Sequence, residues 1–309
     1  MRIIRLIASL ALGLLLLTSC GQKGKPTMKS FAKPSPVTNM TAYHGDGKIV
    51  VSWAYTRQEK VSVKGFYVER AEGNGPFETL TFLNADTTKF TDTNFVEGKS
   101  YKYRIRVYSL RNVISDGSKE LKADPVTPPS PPDNLRYHLT NDAVEIAWNG
   151  EGKGITYDIY RSSDKVSCNS ARLNTEPLDK PFFRDSVDAA RKVFYSVRSA
   201  IHTSIINESM PSDCLEIDPG SFIPASPTGL RVVKTDDKVY LSWKENPEVW
   251  IKGYRIYRKE QEGRFAPVAD VAVPMFLDEG QNTVRTSYYV TALGPGKESS
   301  PSSAVNTGP

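Results

Sequence analysis

The 309 residues carry 40 Lys and Arg against 35 Asp and Glu, a formal net charge of +5. Without Arg2 and Arg5, which sit in an N-terminal leader, the balance is 38 against 35, or +3. A chain so close to neutral lacks the concentrated basic face of a dedicated nucleic-acid binder, and its length suits two or three domains.

The leader reads Met1, Arg2, Ile3, Ile4, Arg5, then an apolar run from Leu6 to Leu17, then small polar residues. That is the layout of an export signal. The run is shorter than the roughly 20 apolar residues needed to cross a bilayer, so no permanent transmembrane anchor is expected. Leu17-Thr18-Ser19-Cys20 resembles a bacterial lipobox. The resemblance implies cleavage of residues 1–19 and lipidation of Cys20, with two or more acyl chains holding the protein to a membrane where one alone would be reversible. Gly21 and Gln22 follow in place of the aspartate that retains many lipoproteins at the inner membrane, which implies the outer membrane. Cys20-Gly21-Gln22-Lys23-Gly24 also resembles the start of LptM-type lipoproteins, which associate with the lipopolysaccharide translocon. That motif continues Pro-Leu-Tyr, whereas Lys25, Pro26 and Thr27 stand here. Residues 20–34 read as a flexible tether.

Beyond the tether the chain repeats itself. Trp53, Trp148 and Trp243 lie 95 residues apart, and Asp92, Asp185 and Asp278 lie 93 apart. Between them fall "GFYVER", "TYDIYR" and "GYRIYR", ending at Arg70, Arg161 and Arg258, and after them "YRIRV", "YSVRS" and "YYVTA", starting at Tyr103, Tyr195 and Tyr288. Each landmark alternates apolar with polar residues and is rich in aromatic and β-branched types, which predicts strands. Short strands between Gly, Pro, Asn and Asp turns, in units near 90 residues, predict β-sandwiches. Each unit opens on a proline-marked stretch, "KPSPVTNMTA", "PPSPPDNLRY" or "IPASPTGLRV", where proline favours extended backbone and gives no amide to a ladder.

The set resembles the fibronectin type III family, with Trp on the second strand, an aromatic-x-apolar third strand and a Tyr-x-apolar strand near the end. The resemblance implies an all-β chain of three tandem immunoglobulin-like sandwiches over 35–126, 130–219 and 225–309. It also implies a corner tyrosine two residues before the core aromatic of the late strand. Tyr101 fills that position in the first unit, but Val193 and Thr286 stand in the others, so the corner bond is expected to be missing there.

Once Cys20 is lipidated, Cys168 and Cys214 form an even pair in an exported chain, which favours a disulfide. The resemblance sets a condition: in such a sandwich the two segments lie at opposite edges of one sheet, and bridged α-carbons must come within about 7 Å. Either the loop after the third strand of unit two folds back, or both thiols stay free or pair elsewhere.

The tryptophans read as core. The aspartates follow an aromatic and precede a turn, where a short carboxylate accepts local backbone hydrogens. His44, His138 and His202 are isolated, no spacing matches a metal site, and neither a nucleophile elbow nor a phosphate loop is present. No catalysis, metal or cofactor is therefore expected. Two surface features carry binding expectations. Lys102, Arg104 and Arg106 should point outward as one basic stripe, suited to phosphates or an acidic partner. Trp250, between the second and third strands of unit three, either anchors a partner or packs on the neighbouring sandwich.

These features together predict a lipid-anchored scaffold or binding protein of the cell envelope that engages a protein or glycan. Alternatives are an envelope-assembly helper at the lipopolysaccharide translocon and an accessory module to a separate polysaccharide-acting enzyme.

Overall fold

The computed structural model describes residues 32–308 apart from 151, 169–170, 236–237, 261–262 and 281–284. The leader, Cys20 and most of the tether lie outside the described residues. No helix among the described residues is long and apolar enough to cross a membrane. The chain divides into two compact units. The first comprises 32–41, Val50–Thr91 and Ser100–Ala123; the second comprises Ala42–Ile49, Asp92–Lys99 and the chain from Asp124 onward.

The first unit is built on β1 (Thr38–Gly45), β2 (Lys48–Ala54), β3 (Val63–Glu72), β4 (Glu78–Asn84), β5 (Lys89–Asp92), β6 (Tyr101–Ser109) and β7 (Leu121–Ala123). Strands β1, β2 and β5 follow one another in one sheet, and β4, β3, β6 and β7 in another. In β6 burial alternates residue by residue, with Tyr101, Tyr103, Ile105 and Val107 inward. That period of two is what a strand with one buried face requires.

The second unit repeats this order twice. Strands β8 (Asp133–Leu139), β9 (Ala143–Asn149) and β12 (Phe182–Ser186) form a three-stranded sheet. In the facing layer, β13 (Val193–His202) pairs with β10 (Ile155–Ser162), β14 (Ile206–Glu208) and β15 (Leu215–Ile217), while β11 (Ala171–Arg172) flanks β10. The last repeat sets β16 (Thr228–Lys234), β17 (Val239–Lys244) and β20 (Met275–Asp278) against β19 (Ala266–Val271), β18 (Gly253–Glu260), β21 (Thr286–Leu293) and β22 (Val305–Asn306). The all-β sandwich architecture expected from the landmarks is the one the chain adopts. The end of β1 belongs to the second unit, where Tyr43 and His44 pair in parallel with Ile206 and Asn207 of β14.

The landmarks meet in the interior. Trp53 stands edge-on to Phe66 at 5.6 Å, Trp148 to Tyr157 at 5.5 Å and Trp243 to Tyr254 at 5.2 Å. T-shaped pairs of this kind add about 1 kcal/mol to the area they bury.

The aspartates do more than cap turns. Asp185 accepts from the Ser186 amide at 2.8 Å, as a turn carboxylate should, but also from Tyr195 Oη at 2.8 Å and Arg161 Nη1 at 2.7 Å. Asp278 does the same with the Gly280 amide, Tyr288 and Arg258. Three of the four repeated landmarks therefore converge on one carboxylate in each of these two repeats.

Candidate functional site

The outer face of the four-stranded sheet in the first unit carries a dense set of accessible binding groups. Strand alternation sends Phe66 and Val68 inward and Tyr67 and Glu69 outward on β3, and it sends Lys102, Arg104, Arg106 and Tyr108 outward on β6. Register then places Phe82, Tyr67 and Arg106 in one row across three strands, with Glu69 and Arg104 in the next. Tyr67 lies 4.8 Å from Phe82 and 5.7 Å from Tyr108, and Phe82 lies 6.1 Å from Tyr108. Gly65 makes the arrangement possible, because a Cβ there would collide with the Phe82 ring and the Leu83 carbonyl. Phe82 remains 42% exposed. Lys64 Nζ stands 5.2 Å over the Tyr108 ring, and the Tyr108 hydroxyl donates to Asn112 Oδ1 at 2.7 Å.

The basic stripe of Lys102, Arg104 and Arg106 runs along this face, but its charge is partly offset. Glu69 is buried beneath it, bonded to Arg104 Nε and 3.9 Å from Arg106 Nη1. Arg104 also lies 4.0 Å over the Phe77 ring, and Lys102 reaches Glu120 at 3.7 Å. One carboxylate thus serves two guanidinium groups, and Arg106 Nε is buried without a hydrogen-bond partner. A buried donor left in that condition is costly.

The same sheet face differs in the other repeats. In the last one Tyr257 stacks on Tyr289 at 4.6 Å, but Arg255 is saturated by Asp270 at 2.7 Å and Glu298 at 2.6 Å, and the Tyr257 hydroxyl donates to Glu298 at 2.9 Å. In the middle repeat the face is covered: Phe194, Ser196, Arg198 and Ala200 are all buried. Arg198 donates to Asp46 at 3.0 Å and to the Ser209 carbonyl at 2.8 Å, at the edge of a 370 Å³ cleft that Tyr43, Tyr160 and Glu208 also line. Burial, outweighing the nearby Arg198, pushes the Glu208 carboxyl above its ordinary value.

Trp250 takes the second of its two expected roles, packing on the neighbouring sandwich, and not the first. It is 5% exposed and cannot serve as an open anchor. Its ring packs edge-on to Phe222 at 5.5 Å among the core residues of the middle repeat, and its indole nitrogen donates to the Thr140 carbonyl at 3.2 Å. The neighbouring amide of Val249 donates to Asn141 at 2.9 Å. An indole needs both an apolar slot and an acceptor, and the adjacent sandwich supplies both.

Cys168 and Cys214 are joined, with α-carbons 6.2 Å apart. The segment after β10 does fold back: the Cys168 carbonyl accepts from Ser196 Oγ of β13 at 3.3 Å, which brings the cysteine across the sheet toward β15. Cys20 lies outside the described residues.

Of the three histidines, His202 meets Thr156 at 3.0 Å, His138 is exposed on β8, and His44 is fully buried. Asn207 orients His44. Its amide nitrogen donates to Thr203 Oγ1 at 3.0 Å and its oxygen accepts from the Val126 amide at 2.9 Å. His44 Nδ1, 3.0 Å from that oxygen, must therefore be the donor. Among the described residues no group of three His, Cys, Asp or Glu is placed to hold a metal ion.

The sequence held a signal for Tyr67 and Tyr108, since the alternation that turns Arg106 outward turns both of them outward too. Phe82 had none, because its place depends on the pairing of β4 with β3.

No family model matches the chain. Among solved structures it is similar to the chicken CNTN1 FN1-FN3 domains, at 12% identity and a TM-score of 0.27, over 88% of this chain and 99% of that one.

Proposed function

We propose that this protein is a non-catalytic scaffold or binding protein of the bacterial cell envelope. In this reading Cys20 is lipidated, residues 20–34 form a tether, and sandwich domains over 35–126, 130–219 and 225–309 present a rigid sheet face to a protein or glycan at the outer membrane. The observation that carries the binding role is the ring-and-cation face of Tyr67, Phe82, Tyr108 and Arg106. It is exposed, it rests on a sheet whose opposite side is packed core, and it sets a partly exposed guanidinium beside three aromatic rings. Large rigid side chains that lose little entropy on contact are the usual anchors of binding surfaces. The leader composition and the lipobox resemblance support the address.

Crosslinking of the lipidated protein in intact cells, with identification of its neighbours, tests the role. Enrichment of one envelope protein or glycan is expected. Recovery of the mature chain in the soluble periplasm, without acyl mass on its first residue, overturns the tether.

A further inference from the structure

We propose that the outer face of the first unit's four-stranded sheet binds an acidic polysaccharide, laying a uronic-acid residue against Phe82 and its carboxylate against Arg106. The inference rests on the reading of the protein as a binder and names the class of partner.

Three observations carry it. The first is the ring cluster. Aromatic faces carry partial negative charge and attract the polarised C–H groups on the flat side of a sugar ring. Phe82, lying over Gly65 with Tyr67 and Tyr108 at its sides, presents a rigid surface of this kind. The second is charge. Lys64, Arg104 and Arg106 surround the rings, and the carboxylate among them is Glu69. Asp116, near Arg106, is paired with Lys33 at 2.7 Å, so with that pair included four cations stand against two anions, an excess that favours an anionic ligand over a neutral one. The third is the donor geometry. Arg106 stands in the same row as Tyr67 and Phe82, its side chain 38% exposed and its Nη1 3.9 Å from Glu69, so the outer edge of the guanidinium is open while Nε is buried. A planar guanidinium in that state is suited to a carboxylate, which it can take in two parallel hydrogen bonds.

The same chemistry separates this ligand from single-stranded nucleic acid, which also combines stacking with phosphate charge. The three rings pack on one another at 4.8 to 6.1 Å and leave no slot for a base to enter. Nor does this face offer a basic groove among the described residues to follow a phosphate backbone: Lys102 is held by Glu120, and the chain without its leader is close to neutral.

The test is calorimetric titration of the mature, detergent-solubilised full chain with polygalacturonate oligomers, a neutral glucan of equal length and an oligothymidylate. Binding of the polyuronate alone is expected, weakened about tenfold by Phe82→Ala and about tenfold by Arg106→Gln. Both variants lose contacts of the folded face, so a modestly lower melting temperature is expected, and circular dichroism at the titration temperature checks that each remains folded. Lys64→Gln is a third variant, expected to weaken binding less. Equal affinity for the neutral glucan, preference for the oligothymidylate, undiminished binding by Phe82→Ala, or no binding at all would each overturn the proposal. None of these results bears on the lipid tether or on crosslinked neighbours, so this inference and the envelope role fail separately.

Discussion

The Tyr288 hydroxyl donates to Asp278 Oδ2 at 2.8 Å in the buried interior of the last sandwich. Arg258 Nη1 reaches the same oxygen at 3.0 Å. The bond joins β20 of one sheet to β21 of the other, so it ties the two layers together at a fixed height. Tyr288→Phe removes one hydrogen bond and should cost about 1 kcal/mol. Asp278→Ala removes the bonds from Arg258 and the Gly280 amide as well, and should cost more, about 2 kcal/mol. Urea unfolding of both variants checks the order; equal losses would mean that Arg258 finds water at no cost.

Acid should act on two carboxylates in opposite ways. Burial pulls the Asp278 carboxyl up, but the Gly280 amide, Tyr288 and Arg258 together outweigh it and hold the group below its ordinary 3.8. A depressed folded value stabilises the fold above about pH 4 and loses that contribution as the pH falls further. Glu208 is the reverse. Its raised value favours the fold in acid, and the contribution is lost as the pH climbs through it. Glu208→Gln should therefore raise the melting temperature near pH 7 and leave it nearly unchanged near pH 4. A lower melting temperature near pH 7 would show that attraction to Arg198 exceeds the cost of burial.

Trp250→Ala empties a slot between Phe222 and the Thr140 carbonyl. Large-to-small changes of this kind cost about 3 to 5 kcal/mol. The loss should appear as a lower-temperature unfolding transition, with affinity for any ligand of the first unit unaltered.

Replacing both Cys168 and Cys214 with alanine opens a loop with a sequence separation of 46. Chain entropy assigns that closure about 4 kcal/mol. Reduction of the parent protein should lower its stability by a similar amount. An unchanged midpoint under reducing conditions would mean that the folded-back segment holds without the covalent link.

Where the sequence was informative, the signal was local. The period-two pattern of "YRIRV" needs no partner strand to be read, and it turns Tyr103 and Ile105 inward and Arg104 outward wherever the sheet lies. Repetition of the tryptophan, arginine, aspartate and tyrosine positions multiplied that signal until the sandwich was legible. What stayed hidden depended on contacts across the chain. Tyr195 meets Asp185 from 10 positions away, Arg104 meets Glu69 from 35, and Trp250 finds Thr140 from 110.

The amino-acid order by itself determined the strands, their inward faces and the threefold repetition, because side-chain direction in a strand is set by the backbone of that strand alone. Only the tertiary structure decided that Glu69 lies between two arginines, that Phe82 rests on Gly65, that the segment bearing Cys168 crosses to Cys214 and that Trp250 is enclosed. Each of these depends on which strands become neighbours and in what register, and those choices are made by the whole core as it packs.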